Sequence, residues 1–170
     1  MSPGSPFLTR RALLAASAAA AWPASAATSQ PLKVAFVYVG PVGEAGWSFA
    51  HDAARRAVET RYGPRVRVTT VSSVPEGADA ERVLRDLVAQ GHRLIFATSF
   101  GYMEAVLRVA AEQPDTRFEH ATGYATAPNV RTYDTRSYEA AYLAGMVAGG
   151  MTRSGLLGVV GALPIPSVIL

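Results

Sequence analysis

The chain has 170 residues, 49% hydrophobic and 17% charged, which is enough apolar content for a packed core and too little charge for a disordered chain. Setting Arg10 and Arg11 aside with a targeting segment leaves 14 of the 16 basic residues against 13 acidic ones, so the mature charge implies no nucleic-acid partner. The absence of cysteine excludes disulfides, thiolate metal sites, cysteine nucleophiles and a lipid-modified N-terminal cysteine.

Residues 1–26 read as an address. Arg10 and Arg11 precede an alanine-rich apolar run over 12–22, and Ala24, Ser25 and Ala26 supply small residues at the spacing signal peptidase accepts. The run is shorter than the roughly 20 residues a spanning helix needs. A twin-arginine signal peptide cleaved after Ala26, with a periplasmic product, is the expectation; an alanine-rich N-terminal helix is the competing one.

The remainder, 27–170, alternates strand and helix patterns. Residues 32–39 are apolar apart from Lys33, as in a strand covered on both faces. A helix is predicted over 47–61, ended by Gly63 and Pro64, and a more alternating second strand, nearer an edge, over 65–71. Residues 79–90 form an amphipathic helix with Val83, Leu84, Leu87 and Val88 on one face and Gly91 at its C-terminal cap. A third strand over 94–98, a helix over 102–112, short strands over 117–121 and 130–133, a small-residue helix over 137–151 and a last strand over 156–160 complete the series. The Pro164 and Pro166 segment reads as a crossover out of the lobe. Strands alternating with helices imply an α/β three-layer sandwich with a mainly parallel sheet.

Three predicted strands end in glycine and aromatic residues: Gly40 before Gly43, Gly46 and Trp47; Phe100, Gly101 and Tyr102; Gly123 and Tyr124. Ligands bind at the carboxyl ends of strands in open parallel sheets, where glycines let backbone approach closely and aromatic rings offer stacking surfaces. A small-molecule binding lobe follows from that repetition. The spacing Gly40-x-x-Gly43-x-x-Gly46 departs from a dinucleotide fingerprint, and the second strand ends in Val71, Ser72 and Ser73 without a ribose-binding acid. Neither a P-loop lysine motif nor a G-x-S-x-G elbow occurs. His51, His92 and His120 lack metal-ligand spacing. His92 is expected on a surface loop, His51 on a partly exposed helix face, and His120 in a hydrogen-bonded structural role.

Val34 to Pro41, Glu44 to Trp47, Glu76 to Arg82, Thr98 to Met103, Phe118 to Tyr124 and Tyr142 to Gly145 together resemble the basic membrane protein family of ABC-importer substrate-binding proteins, also called purine nucleoside receptor-like. The resemblance spans 33–166. It implies a type I periplasmic binding protein in which 27–170 is mainly the N-terminal lobe and the C-terminal lobe is absent. The ligand is then a purine base or nucleoside, the partner an inner-membrane ABC permease, with no cofactor and no catalysis. The nucleoside-binding branch carries an acidic stretch and Phe-Asn where this chain has Gly43 to Ser48, so a free base fits better than a nucleoside. Trp47 and one of Phe100 and Tyr102 are candidate stacking faces, the other packing inward, with Gly101 between them. Ser99 is a candidate ligand donor or a helix cap, and Asp134 a candidate acceptor or the N-cap of the helix at Ser137; Tyr124 is a weaker cleft candidate. An exported α/β enzyme is the alternative class, and it needs a nucleophile–base pair or cofactor loop that the sequence does not display. A sensor module built on the same lobe is a third reading.

Overall fold

The computed structural model describes residues 30–161 together with 164, 165 and 168. The expected signal peptide and its expected cleavage point lie outside the described residues. Five strands, β1 (Leu32–Val37), β2 (Val66–Val71), β3 (Leu94–Ala97), β4 (Arg117–Ala121) and β5 (Val130–Tyr133), form one sheet in the order β2-β1-β3-β4-β5. Every neighbouring pair is parallel. Helices α1 (Trp47–Tyr62), α2 (Ala78–Ala89) and α3 (Met103–Glu112) connect the first four strands. Helix α4 (Ser137–Met151) follows β5.

Side chains of β1 divide by parity, because successive residues in a strand point to opposite faces. Ala35 and Val37 enter the larger core with Ile95, Phe118 and Val130, closed by Leu84 and Leu87 of α2 and by Val106, Val109 and Ala110 of α3. Val34, Phe36 and Tyr38 form a second core on the opposite face, with Val66, Val68, Leu94 and Phe96 against it. There the Phe36 and Phe96 rings stack 4.5 Å apart, and the Tyr38 hydroxyl donates to Asp52 of α1 at 3.3 Å. Hydrogen bonding from Arg55, at 2.7 Å, holds the Asp52 carboxyl below its usual range and outweighs the opposing effect of its burial. A helix layer on each side of one parallel sheet is the expected three-layer arrangement.

Three expectations are corrected. Residues 156–160 form no strand: Val159 and Val160 are 95% and 100% exposed, and among the described residues no sheet edge pairs with them. Extended backbone without a partner ladder leaves its polar groups to water. His92 is buried rather than on the surface, because the chain turns at Gly91 (φ 86°) back under α2. Its Nδ1 lies 2.9 Å from the Leu87 carbonyl oxygen and its Nε2 2.9 Å from Thr69 Oγ1. His120 is fully buried as expected of a structural residue, yet neither ring nitrogen has a hydrogen-bond partner among the described residues. It fills space instead: a Cβ added at Gly123 would sit 2.7 Å from its Nδ1 and 3.0 Å from the Met103 sulfur.

Two outcomes follow from this packing. Leu84, fully buried between α2 and the sheet, leaves a cavity when truncated, and urea unfolding of Leu84→Ala is expected to show a loss of about 2–5 kcal/mol. Burial lowers the His120 pKa to about 4 from 6.5. Between those values the unfolded chain binds a proton that the native imidazole refuses, so stability falls as pH drops through that window, by roughly 3 kcal/mol in total. Urea midpoints measured from pH 7 to pH 4 should slope accordingly in the native sequence and lose that slope in His120→Leu.

Candidate functional site

From β1 the chain runs to β2 on one side and returns to β3 on the other, so the loops leaving β1 and β3 diverge. That topological switch point is where an open α/β sheet presents a crevice beyond its strand ends. A hollow of about 320 Å³ lies there, with Val39 and Trp47 from the β1–α1 loop and helix start, and Ser99 and Phe100 from the β3–α3 loop. Thr122, Asp134, Thr135 and Ser137 extend it past the ends of β4 and β5, and Ile165 and Val168 close one side. The volume is at the small end of the usual range for ligand sites, about 300–1,000 Å³.

Gly46 precedes Trp47 with φ 93°, a left-handed backbone that strains any residue with a Cβ, and so turns the first residue of α1 to the rim. The Trp47 Nε1–H donates to the Thr98 carbonyl at 2.5 Å, and Trp47 remains 42% exposed. With its N–H already bonded, the indole has its ring to offer a ligand. His51, one turn later, places its Nδ1 2.9 Å from the Trp47 carbonyl oxygen, which accepts, and packs its ring 4.6 Å from the indole. It is not among the lining residues.

Of the aromatic pair at the β3 tip, Phe100 faces the hollow and Tyr102 packs inward. Tyr102 is fully buried, and its hydroxyl donates to the Val74 carbonyl at 2.6 Å. Tyr124 is exposed beside Phe100, ring centroids 5.6 Å apart, and donates to Glu104 at 2.8 Å. Gly101 lies behind the rim rather than on it: its N–H donates to Glu76 Oε1 at 3.1 Å. Ser99 Oγ donates to that same oxygen at 2.6 Å, so its hydroxyl proton is committed within the chain, and it makes no side-chain cap.

Asp134 lines the hollow and does not cap α4, whose N-cap residue is Arg136 with no side-chain capping bond. One carboxylate oxygen accepts the Thr135 N–H at 2.7 Å, which leaves the other to accept from a ligand. Among the described lining residues, Asp134 is the one that carries a charge. An apolar rim with aromatic rings and a single carboxylate suits a flat, uncharged molecule with N–H groups at its edge and disfavours an anion.

Sequence reasoning did not identify Val39, Thr122, Thr135, Ser137, Ile165 and Val168 as lining residues, nor Thr98 and Glu76 as partners behind the rim. A readable signal existed for Thr98, a polar residue directly after an apolar strand. None existed for Thr122, whose left-handed φ of 59° emerges only in the folded turn.

A purine-binding protein of Brucella abortus is 44% identical over 145 residues, covering 85% of this chain and 41% of that protein. A putative ABC transporter glucose-binding protein of Haloferax volcanii is 41% identical over 140 residues, covering 82% of this chain and 35% of that protein. The chain therefore spans about two fifths of the length of these relatives. Among solved structures, an ABC transporter solute-binding protein from Conexibacter woesei superposes with a TM-score of 0.58 at 29% identity, covering 69% of this chain and 40% of that one. Residues 32–170 match the family described as PnrA-like ABC transporter substrate-binding proteins, and the chain belongs to that family.

Proposed function

We propose that residues 27–170 form the ligand-binding N-terminal lobe of an exported ABC-importer receptor, not an enzyme, and that its ligand is a purine base or a close relative. The observation that carries the reading is the placement of Trp47, Phe100 and Asp134 around one hollow at the switch point of the sheet. A purine presents two flat faces and edge N–H groups, which match the rings and the free carboxylate oxygen. The relative named as purine-binding, 44% identical, supports the same ligand class. Family membership supports a membrane permease as partner and a periplasmic location, and the arginine pair, apolar run and Ala24 to Ala26 support a leader over 1–26 removed near Ala26. Coverage of 41% and 35% of two relatives supports a second lobe, against which a cleft would close.

The relative named as glucose-binding gives a second reading, since sugars also lie on aromatic rings. One titration separates the two. Calorimetry of the purified chain with adenine, guanine, adenosine and glucose is expected to give heat with a purine and none with the sugar. Glucose heat without purine heat, or silence with every purine, rejects the purine assignment.

Truncation of the stacking ring is the sharper measurement. Trp47→Ala is expected to weaken adenine binding by about 1–3 kcal/mol, the usual worth of one base–aromatic stack. Because Trp47→Ala also removes the indole N–H bond to the buried Thr98 carbonyl, its melting temperature is read beside the dissociation constant. An unchanged dissociation constant removes Trp47 from the site.

A further inference from the structure

Two loops meet behind the rim of the hollow, and their joint is not explained by packing alone. The loop between β2 and α2 contributes Val74 and Glu76; the loop between β3 and α3 contributes Ser99, Phe100, Gly101 and Tyr102. Tyr102 is tied to the first loop through the Val74 carbonyl. Glu76 Oε1 then accepts from both the Ser99 hydroxyl, at 2.6 Å, and the Gly101 N–H, at 3.1 Å. Phe100, the lining aromatic, stands between these two donors and has its backbone held on both sides.

Gly101 is explained by the same carboxylate. Its φ lies outside the left-handed range, so no backbone requirement selects glycine there. Space does so while the carboxylate keeps its seat: a Cβ at 101 would fall 2.1 Å from Glu76 Cδ and 2.2 and 2.3 Å from its two oxygens, so the flexible Glu76 side chain would have to swing out and give up its bonds there. Charge reinforces the seat, because a carboxylate is favoured at the free N–H groups where a helix begins, here the turn Phe100–Tyr102 leading into α3.

We propose that Glu76 is a positioning residue of the binding hollow, whose carboxylate clamps the Ser99–Gly101 backbone and thereby fixes the Phe100 ring toward the ligand. Its role toward the ligand rests on the purine reading above; the clamp itself does not.

The clamp is tested without ligand by a double-mutant cycle and by amide exchange. Gly101→Ala should destabilise the otherwise native chain and cost clearly less in the Glu76→Ala background, because the obstructing carboxylate is gone. Exchange of the Gly101 amide should quicken about tenfold in Glu76→Ala and return to the native rate in Glu76→Gln, which keeps an acceptor oxygen. Equal costs of Gly101→Ala in both backgrounds, or an unchanged amide in Glu76→Ala, overturn the clamp.

Adenine then reads the consequence for binding. Glu76→Ala is expected to bind it about tenfold more weakly with Glu76→Gln near native affinity, and native affinity in Glu76→Ala overturns the positioning role. Silence of the unsubstituted chain toward adenine and the other purines rejects the ligand class instead, while the cycle and the exchange rates still decide the clamp.

Discussion

Thr98 joins the two strands between which the hollow opens. It is fully buried one residue past the end of β3, and both its N–H, at 3.1 Å, and its hydroxyl, at 2.8 Å, donate to the Val37 carbonyl at the end of β1. Its own carbonyl takes the Trp47 indole N–H. The β1 and β3 ends, the start of α1 and the approach to Phe100 are therefore referred to one residue. A buried carbonyl with two donors is fully satisfied, and the low polarity around it strengthens each bond. The separation of Trp47 and Phe100 is consequently a property of the sheet rather than of two free loops.

The sheet's two faces contribute differently. The face under α2 and α3 is aliphatic and deep, with Leu84, Ile95, Val106, Val109 and Phe118 all buried, and it supplies most of the burial that holds the sheet. The face under α1 is aromatic. Rings follow one another from Phe36 to Phe96 at 4.5 Å, Phe96 to Tyr133 at 6.4 Å, Tyr133 to His51 at 6.2 Å and His51 to Trp47 at 4.6 Å. Each is within the range where tilted or offset rings attract. The Trp47 ring is thus braced from the core side by the same kind of surface it offers outward.

Every helix and all five strands were legible in the sequence to within a residue or two, because apolar periodicity and glycine punctuation agreed along the chain. Gly91 marked the end of α2, and the apolar run at 34–37 marked a strand buried on both sides. What failed was long-range. The 156–160 stretch has the composition of a strand, but strand formation depends on a partner edge that composition cannot report. His92 looked like loop because its burial depends on Leu87 and Thr69, the latter far away in sequence. At the site, residue types were readable and their partners were not: Ser99 has the chemistry of a ligand donor, but Glu76, brought in from the preceding loop, accepts its hydrogen bond. Of Phe100 and Tyr102 the hydroxyl decides the assignment, since a buried tyrosine needs an acceptor and Val74 provides one.

Hydrogen bonding is distributed unevenly around the hollow. The β1 and β3 side is tied by Thr98, Tyr102 and Glu76. The opposite side is carried on Asp134, Thr135 and Ser137, which lead into α4. That helix has no buried residue, and Tyr138, Tyr142, Leu143, Met146, Val147 and Met151 are all more than half exposed. Segments with little buried apolar contact open at low free-energy cost, whereas the strand core opens only with global unfolding. The rings of Trp47 and Phe100 therefore sit on the tied side of the hollow, where a preorganised surface loses no ordering entropy, and the Asp134 carboxylate sits on the other side. Under the function proposed above, a ligand meeting the rings first and Asp134 second is the order of events this arrangement favours.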